Sequence, residues 1–460
     1  MNRRNFLKYS TLLGASTGLM GLPKTQLYAA GENYDGPLWL TVHAQGGWDP
    51  TSFCDPKGYN GAENVDDPAR LNNYDSNDIV KVGNFSVAPP PNNFQVGGSN
   101  FNENLYTAEE FFTQYMSKLC VINGIDVETN SHSNGKLNTW SGKLRNGFPS
   151  FAALVAGTLA SNLPMSYLIN GGYSFPANLI TPTRMDSRGL TALYEIAYPN
   201  RSVAAKNSNS AGYFTDIVRQ AINDATNSRL DRLQLNENLP RNLTALSNMK
   251  LSRAEIDRLA TFATTIDAYD SKVSDDFNGR TQAFNFYKQG RLALAAYEAG
   301  VTCSANVTMG GFDTHGDHDN RHYPRLMDLL MGLNGIMQEA ELRGLSDRLV
   351  VVVGSDFGRT NKYNKNAGKD HWPITSMMFM GNSTQNIPGN RVIGATTDNH
   401  KTLSVDPTTL DVDVDNSNPN SLRITPAHIH TALRKLAGIS QRNNAINNPL
   451  NSLDLNLFGV

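Results

Sequence analysis

Segments with helical periodicity alternate with short apolar segments through the C-terminal half of the chain. Helices are predicted over 284–299, 321–343 and 426–436, and strands over 302–308, 348–353 and 374–380. Apolar runs at 38–43, 119–122 and 165–168 predict further strands. Such alternation is typical of a mostly parallel sheet that helices cover on both faces, so the predicted fold class is α/β.

The chain length allows several domains or one. Its 460 residues suit two or three average domains, or a single large α/β domain. We predict one α/β domain over 31–460. Polar segments with helical spacing over about 186–283 predict a helical insertion that covers the core, with a separate helical domain as the alternative.

Charge and cysteine content limit the partners and the covalent structure. The net charge is −2 at pH 7 and no basic stripe occurs, so nucleic acid is not an expected partner. No run of residues is long and apolar enough to predict a transmembrane segment. The odd cysteine count, with Cys54, Cys120 and Cys303, leaves at least one thiol free; we expect buried thiols, or one disulfide in an oxidising compartment.

The first 30 residues have the features of a targeting segment. Arg3 and Arg4 precede Phe-Leu-Lys and a mild apolar stretch, and Ala29-Ala30 ends the segment. This pattern predicts a twin-arginine signal peptide over 1–30, with an ordinary secretory signal as the alternative. The expected location is periplasmic or extracellular, and the twin-arginine export machinery is an expected partner.

Acidic and histidine side chains follow the predicted strands. Asp313 and His315 follow the strand over 302–308, and Asp356 follows a strand with four valines. Ligands of α/β sheets bind at the carboxyl ends of the strands. Asp313 and His315 are two residues apart, so in extended backbone both can grip one ion. These oxygen and nitrogen donors predict a hydrolytic metal site, although Asp356 is also a candidate N-cap for a following turn.

Other candidates flank these positions. Asp49 follows two glycines, in what is otherwise a tight turn, and His318 follows His315 closely. His371 precedes the strand over 374–380, where Asp370 is placed to orient it. Arg359 is expected to pair with Asp356 or to bind an anionic group of a substrate.

A hydrolytic metal site can also use a hydroxyl group as its nucleophile. The candidates are Thr51, Thr129, Ser131 and Ser133. A hydroxyl held by metal at a helix N-terminus loses its proton more easily. Ser131 lies in an Asn/Ser-rich segment that is otherwise interpreted as a turn. We interpret His43 and His322 as structural or surface residues.

Four motifs together resemble one family. They are Gly46-Gly47-Trp48-Asp49, the segment 312–315, the segment 356–360, and Asp370-His371. With the twin-arginine leader, they resemble the exported bacterial proteins of the domain-of-unknown-function 1501 family (DUF1501). That family is similar to the alkaline phosphatase and sulfatase superfamily, and residues 425–439 resemble that superfamily's C-terminal helix.

The resemblance implies an alkaline-phosphatase-like fold with a two-metal site. It implies metal ligation by five residues and a nucleophilic role for Ser131; the five are Asp49, Asp313, His315, Asp356 and His371. The superfamily usually has Asp-His where this chain has Asp356-Phe357. One ligand is therefore lost, or replaced by His318 or His132, and the site holds two metal ions, one or none.

The expected function is an exported, metal-dependent hydrolase of phosphate or sulfate esters. It would use one or two divalent ions (Zn, Mn, Mg or Ca), with Arg359 holding the anionic group of a small-molecule or polymer ester. The alternative is a non-catalytic envelope or periplasmic binding or assembly protein on a degenerate sulfatase-like fold.

Overall fold

The structure is a computed structural model that describes residues 34–60, 71–92, 106–184, 213–239, 242–243, 245–247, 277 and 279–460. The predicted leader and much of the predicted insertion lie outside these residues. Within them, no helix is long and apolar enough to cross a membrane.

Fourteen strands and eight helices are named here within the described residues. The strands are β1 Leu38–Gln45, β2 Val80–Val82, β3 Phe85–Val87, β4 Leu119–Asp126, β5 Tyr167–Ile169, β6 Thr183–Arg184, β7 Ser304–Gly310, β8 Leu349–Ser355, β9 Gly358–Arg359, β10 His371–Trp372, β11 Ile374–Met380, β12 Arg391–Ile393, β13 Ser404–Val405 and β14 Val412–Asp413. The helices are α1 Ala108–Tyr115, α2 His132–Ser141, α3 Phe151–Leu159, α4 Asp216–Asn236, α5 Thr281–Glu298, α6 His318–Leu342, α7 Pro426–Leu436 and α8 Asn443–Ile446.

Eight strands form the central sheet in the order β12-β4-β11-β8-β1-β7-β5-β6. All of them run parallel except β11, which is antiparallel to both of its neighbours. The predicted mostly parallel α/β sheet is thereby confirmed. The remaining strands form the pairs β2–β3, β9–β10 and β13–β14.

Helices cover the sheet on both faces because side chains alternate along each strand. On β1, Leu38, Leu40 and Val42 pack into a core that α1, α5 and α6 share. The intervening Trp39 joins the opposite core with α3 and α7. Burial on both faces explains why the central strands are continuous apolar runs such as the four valines of β8.

The strand register brings the predicted site segments to one edge of the sheet. Gln45 at the end of β1 lies opposite Gly310 of β7, and Ala44 lies opposite Ser355 of β8. Since β11 is antiparallel, the segment before its first residue, Ile374, lies at this same edge. The chain segments that follow β1, β7 and β8 therefore meet the segment that precedes β11.

Two described elements differ from the sequence expectation. The region 51–104, predicted to be loop, contains the β2–β3 hairpin. The segment interpreted as a turn at Ser131 instead begins α2. Polar contacts stabilise α2: Asn138 donates to the Val127 carbonyl and Thr139 donates to the Ser355 carbonyl. A helix whose buried face is polar lacks the apolar periodicity that identifies helices in a sequence.

Part of the predicted insertion is described. Helix α4 is exposed along most of its length, and Leu230 is its buried residue.

The three cysteines are all buried and carry free thiols.

A buried histidine between α7 and α2 gives the fold a pH dependence. His430 donates from Nε2 to the Thr139 carbonyl (2.8 Å), and burial lowers the pKa of His430 from 6.5 to about 4. Between these values the unfolded chain binds a proton that the folded chain does not, so stability falls as the pH falls. We expect His430 to contribute a loss of roughly 3 kcal/mol between pH 7 and pH 4. Urea unfolding across this range, compared with His430→Gln, measures it; an equal slope in the variant would contradict the assignment.

Candidate metal centre

The carboxylate of Asp313 is the meeting point of the site. Its side chain is 47% exposed, and one oxygen lies 3.0 Å from His315 Nε2 and 3.3 Å from His371 Nε2. The other oxygen lies 3.5 Å from His132 Nε2. Two of the predicted ligands, His315 and His371, are thus brought together with Asp313, and His132 joins them from the first residue of α2.

The second nitrogen of each imidazole has an acceptor of its own. The Nδ1 atoms lie beside the Asp356 carboxylate for His132 (2.6 Å), the Asp370 carboxylate for His315 (2.7 Å) and the Asn130 carbonyl for His371 (2.8 Å). Ionised carboxylates and carbonyls only accept hydrogen bonds, so each Nδ1 carries the proton. In a neutral imidazole with this tautomer, Nε2 therefore presents its lone pair toward Asp313, which is the arrangement found around metal-ligating histidines.

Ligand atoms of His132, Asp313 and His371 lie within 4.8 Å of one another and could hold a metal ion, and His315 contacts two members of this group. His315 Nε2 and His371 Nε2 lie 3.0 Å apart. Two facing lone pairs repel each other unless a proton or a cation lies near both. In a tetrahedral zinc site with bonds of about 2.05 Å, neighbouring ligand atoms are about 3.3 Å apart. The separations from Asp313 to the three imidazoles span 3.0 to 3.5 Å.

Charge states also favour a cation. Partial burial raises the pKa of Asp313, but the Arg359 hydrogen bond and charge, helped by His371 and His132, outweigh it and lower the pKa to about 2. Burial lowers the pKa of His371, although the adjacent Asn130 carbonyl and Asp313 carboxylate oppose this shift. At neutral pH the site therefore offers an ionised carboxylate and a neutral His371 imidazole.

Asp356 contacts two histidines, one of which, His132, belongs to the cluster. It is 1% exposed, and its two oxygens face His43 Nε2 (2.8 Å) and His132 Nδ1 (2.6 Å). Burial raises the pKa of Asp356, but the hydrogen bonds and charges of these two histidines prevail and lower it. The role of Asp356 as a metal ligand stays a prediction; among the described residues, the ligand atoms that lie within 4.8 Å of one another are those of His132, Asp313 and His371.

His43 is part of this arrangement, although it was predicted to be a structural or surface residue. The indole N–H of Trp140 donates to His43 Nδ1 (2.9 Å). An indole only donates, so a neutral His43 carries its proton on Nε2, which lies 2.8 Å from Asp356 Oδ1. The position of His43 two residues before the end of β1 was the available signal. Its partner Asp356 lies 313 residues away, so no local motif links the two.

Arg359 lies beneath Asp313 and not in the open site. Its fully buried guanidinium donates to Asp313 (2.7 Å), to the Lys369 carbonyl (3.0 Å), and to the carbonyls of Gly46 and Gly47. The alternatives predicted for Arg359, pairing with Asp356 or binding a substrate anion, do not fit this geometry. Gly46 and Gly47 have φ values of 122° and 83°, which only glycine adopts readily, so the turn that receives Arg359 depends on them.

Asp49 and His318 are not part of the cluster. Both are buried, and the Asp49 carboxylate contacts His318 Nε2 (3.1 Å) and the ammonium of Lys369 (2.7 Å). Burial raises the pKa of Asp49, but Lys369 and His318 hold it well below its usual range. The predicted ligation of metal by Asp49 and His318 is therefore without geometric support. Lys369 was not among the predicted site residues, because its position before Asp370 was the only feature that distinguished it in the sequence.

The remaining candidates lie at the rim or under the cluster. Ser131 is exposed at the N-cap of α2, and no hydrogen bond from its side chain caps the helix. Thr51 is buried and donates to Asp49 (2.6 Å), so it does not face the cluster. Asp370 orients His315, not His371 as predicted. Phe357 is buried and packs against the rings of His132 and His371.

A family model described as a protein of unknown function, DUF1501, matches residues 39–412. The chain belongs to the DUF1501 family. This confirms the resemblance drawn from the four sequence motifs. A comparison with curated protein sequences gives no match for this DUF1501 protein.

Several solved structures are similar at low identity. Ps i-CgsB in complex with a neocarrahexaose is 8% identical, with a TM-score of 0.36, over 92% of this chain and 75% of the other. The lipoteichoic acid synthase LtaP from Listeria monocytogenes is 10% identical, with a TM-score of 0.34, over 92% and 76%. The alkaline phosphatase from the Antarctic bacterium TAB5 is 8% identical, with a TM-score of 0.32, over 78% and 95%. These likenesses are distant, and what those proteins act on is not carried over to this DUF1501 protein.

The position of Arg359 in this DUF1501 protein leads to a test of its role. Arg359→Met removes the donor that holds Asp313 in place, so we expect metal affinity to fall about 10- to 100-fold. Competition with a chromogenic chelator measures that affinity. If Arg359 held the substrate anion instead, KM for an aryl ester would rise while metal affinity stayed at the wild-type value.

Proposed function

We propose that the protein is a metal-dependent hydrolase of phosphate or sulfate esters that uses one ion at the Asp313 cluster. The observation that carries this proposal is the set of three imidazoles whose Nε2 atoms face one carboxylate while every Nδ1 is held by an acceptor. His132, His315, His371 and Asp313 would hold the ion.

The chemistry of these donors favours zinc or another first-row transition metal. Imidazole nitrogen suits Zn, Cu, Fe and Ni, whereas Mg and Ca prefer oxygen ligands. Of the four ions predicted from the sequence, Zn fits best. When bound, such an ion polarises an ester oxygen and lowers the pKa of a coordinated water or hydroxyl.

Residues of the chain orient the proposed metal ligands and favour the binding of an anionic substrate beside them. Asp356 fixes the direction of His132, and Arg359 fixes that of Asp313. The exposed N-terminus of α2 lies directly beside His132, and helix N-termini attract anionic oxygens through free N–H groups and the helix dipole. An anionic ester therefore suits this site better than a neutral one.

The nucleophile in this proposal is the Ser131 hydroxyl. Ser131 is exposed and immediately precedes His132, whose Nε2 faces the cluster. The hydroxyl would attack the phosphorus or sulfur atom while its proton passes to solvent, and the bond from that atom to the ester oxygen would break so that the alcohol leaves with a proton from solvent. Water would later cleave the bond to the serine oxygen, which releases the product acid and restores the hydroxyl. A water molecule acting directly is the alternative. Ser131→Ala abolishes turnover in the first case and retains a large part of it in the second.

Export by the twin-arginine machinery also belongs to the proposal. Its support is the Arg3-Arg4 pair with Phe-Leu-Lys after it. The predicted location is therefore periplasmic or extracellular.

Elemental analysis combined with turnover assays tests the proposal. We expect about one Zn per purified chain, and hydrolysis of an aryl phosphate or aryl sulfate in the presence of Zn or Mn. A matched control is His428→Ala, because His428 caps α7 at Thr425 away from the cluster. A protein with neither stoichiometric metal nor turnover on any ester, with Zn, Mn, Mg or Ca added, would instead be the non-catalytic binding or assembly protein.

A further inference from the structure

A buried lysine lies below the metal cluster. The ammonium of Lys369 is 0% exposed and donates to Asp49 Oδ2 (2.7 Å), Asn72 Oδ1 (2.6 Å) and Thr51 Oγ1 (3.2 Å). An ammonium has three N–H donors, and here three acceptors surround it. The Asp49 carboxylate, also 0% exposed, is the only one of these acceptors that carries a charge, so the pair is neutral inside the protein.

A closed ring of hydrogen bonds fixes the other side of Asp49. The Asp49 backbone N–H donates to His322 Nε2 (2.9 Å), so His322 carries its proton on Nδ1, beside Thr314 Oγ1 (3.0 Å). Thr314 then donates its own proton to His318 Nδ1 (2.8 Å), and His318 Nε2 donates to the Asp49 carboxylate (3.1 Å). Every donor in this ring has an acceptor while both imidazoles remain neutral.

Among the described residues around Asp49, this arrangement leaves no free ligand atom for a second metal ion. Both nitrogens of His318 are engaged, and the charge of Asp49 is already balanced by Lys369. A divalent ion added beside Lys369 would place uncompensated positive charge in the interior, which is strongly unfavourable. The positive charge beside Asp49 is therefore that of the Lys369 ammonium and not that of a metal ion.

The same residues hold the segments that carry the metal ligands. Thr314 lies between Asp313 and His315, and the Lys369 N–H donates to the Thr314 carbonyl (3.0 Å). Lys369 also lies two residues before His371, and its carbonyl accepts from Arg359 (3.0 Å). The Lys369–Asp49 pair thus ties together the segments after β1, after β7 and before β11.

We propose that the Lys369 ammonium takes the place of a second metal ion, neutralising Asp49 and positioning the ligand segments, so that the protein holds one ion and not two. Its first part, the charge pairing of Lys369 with Asp49, is independent of any activity. Its second part, the single ion, rests on the proposed metal site.

A double-mutant cycle in chelator-treated protein tests the pairing. The variants are Asp49→Asn, Lys369→Met and the double variant. Each single change leaves one charge buried alone, so we expect each to lower the urea midpoint markedly. The double variant removes both charges and is expected to recover at least half of the loss. Additive losses in the cycle would overturn the pairing; singles that fail to fold beside a folded double variant would support it.

Metal binding tests the second part. We expect one ion per wild-type chain at saturation, and a 10- to 100-fold lower affinity in Lys369→Met. The matched control is Arg343→Met, which breaks another buried ion pair, with Glu339, at the far end of α6, about 36 Å from His318 along the helix. It should lower stability and leave metal affinity unchanged. Two ions per wild-type chain would overturn the proposal even if every variant unfolds.

The two failures are distinguishable. A protein that binds no metal ends the proposed hydrolase function, while the cycle in chelator-treated protein still decides whether Lys369 and Asp49 act as a pair. A protein that binds two ions and hydrolyses esters keeps the proposed function and removes the role assigned to Lys369.

Discussion

Asp313→Ala is expected to release the metal and to lower kcat/KM for an aryl ester by at least about 1,000-fold, equivalent to about 4 kcal/mol of transition-state stabilisation. Asp313 is the group that all three imidazoles face, and it supplies the negative charge of the cluster. Without it, neutral imidazoles alone would have to hold a divalent ion. Metal content by elemental analysis and initial rates on purified protein measure the two effects.

Asp317→Ala is the matched control for this change. Asp317 is a nearby exposed carboxylate whose side chain accepts from Asn320 (2.8 Å) and does not belong to the cluster. We expect it to keep both metal and activity. Wild-type metal content in Asp313→Ala would show that the ion is held elsewhere.

Asp356→Ala is expected to damage both stability and metal binding. The change removes the carboxylate that lies beside the buried Nε2 of His43 and frees His132 to rotate. We expect a loss of about 3 kcal/mol in the free energy of unfolding and a metal affinity lower by about 10- to 100-fold. Urea unfolding of the metal-free protein and chelator competition measure these separately.

Asp356→Asn sharpens the interpretation. An amide keeps one carbonyl oxygen that can accept from one histidine, so metal affinity should lie between those of wild type and Asp356→Ala. If Asp356 were itself a ligand, both variants would lose the metal as completely as Asp313→Ala does.

Local sequence patterns predicted the fold well where strands are buried on both faces. The valine run of β8 and the bounds of β11 were both visible as apolar segments. The antiparallel direction of β11 was not, because strand direction depends on pairing partners that lie far away in the sequence. Helix α2 was not predicted, because polar contacts to Val127 and Ser355 stabilise it and its sequence has no amphipathic pattern.

The candidate site was predictable only in part for a similar reason. Asp313, His315 and His371 stand in compact motifs after or before strands, and the structure brings them together. Asp49 stands in an equally clear motif, yet the structure pairs it with Lys369. A motif indicates that a side chain has a defined role. Whether that side chain binds a metal ion or pairs with an ammonium depends on residues about 320 positions away in the sequence.

Anomalous diffraction at the zinc edge, from crystals of the zinc-loaded protein, tests the arrangement most directly. One peak is expected, bonded at about 2.0–2.2 Å to Nε2 of each imidazole and to the carboxylate of Asp313; the three imidazoles are His132, His315 and His371. A peak between Asp49 and His318, or no peak at the Asp313 cluster, would contradict it.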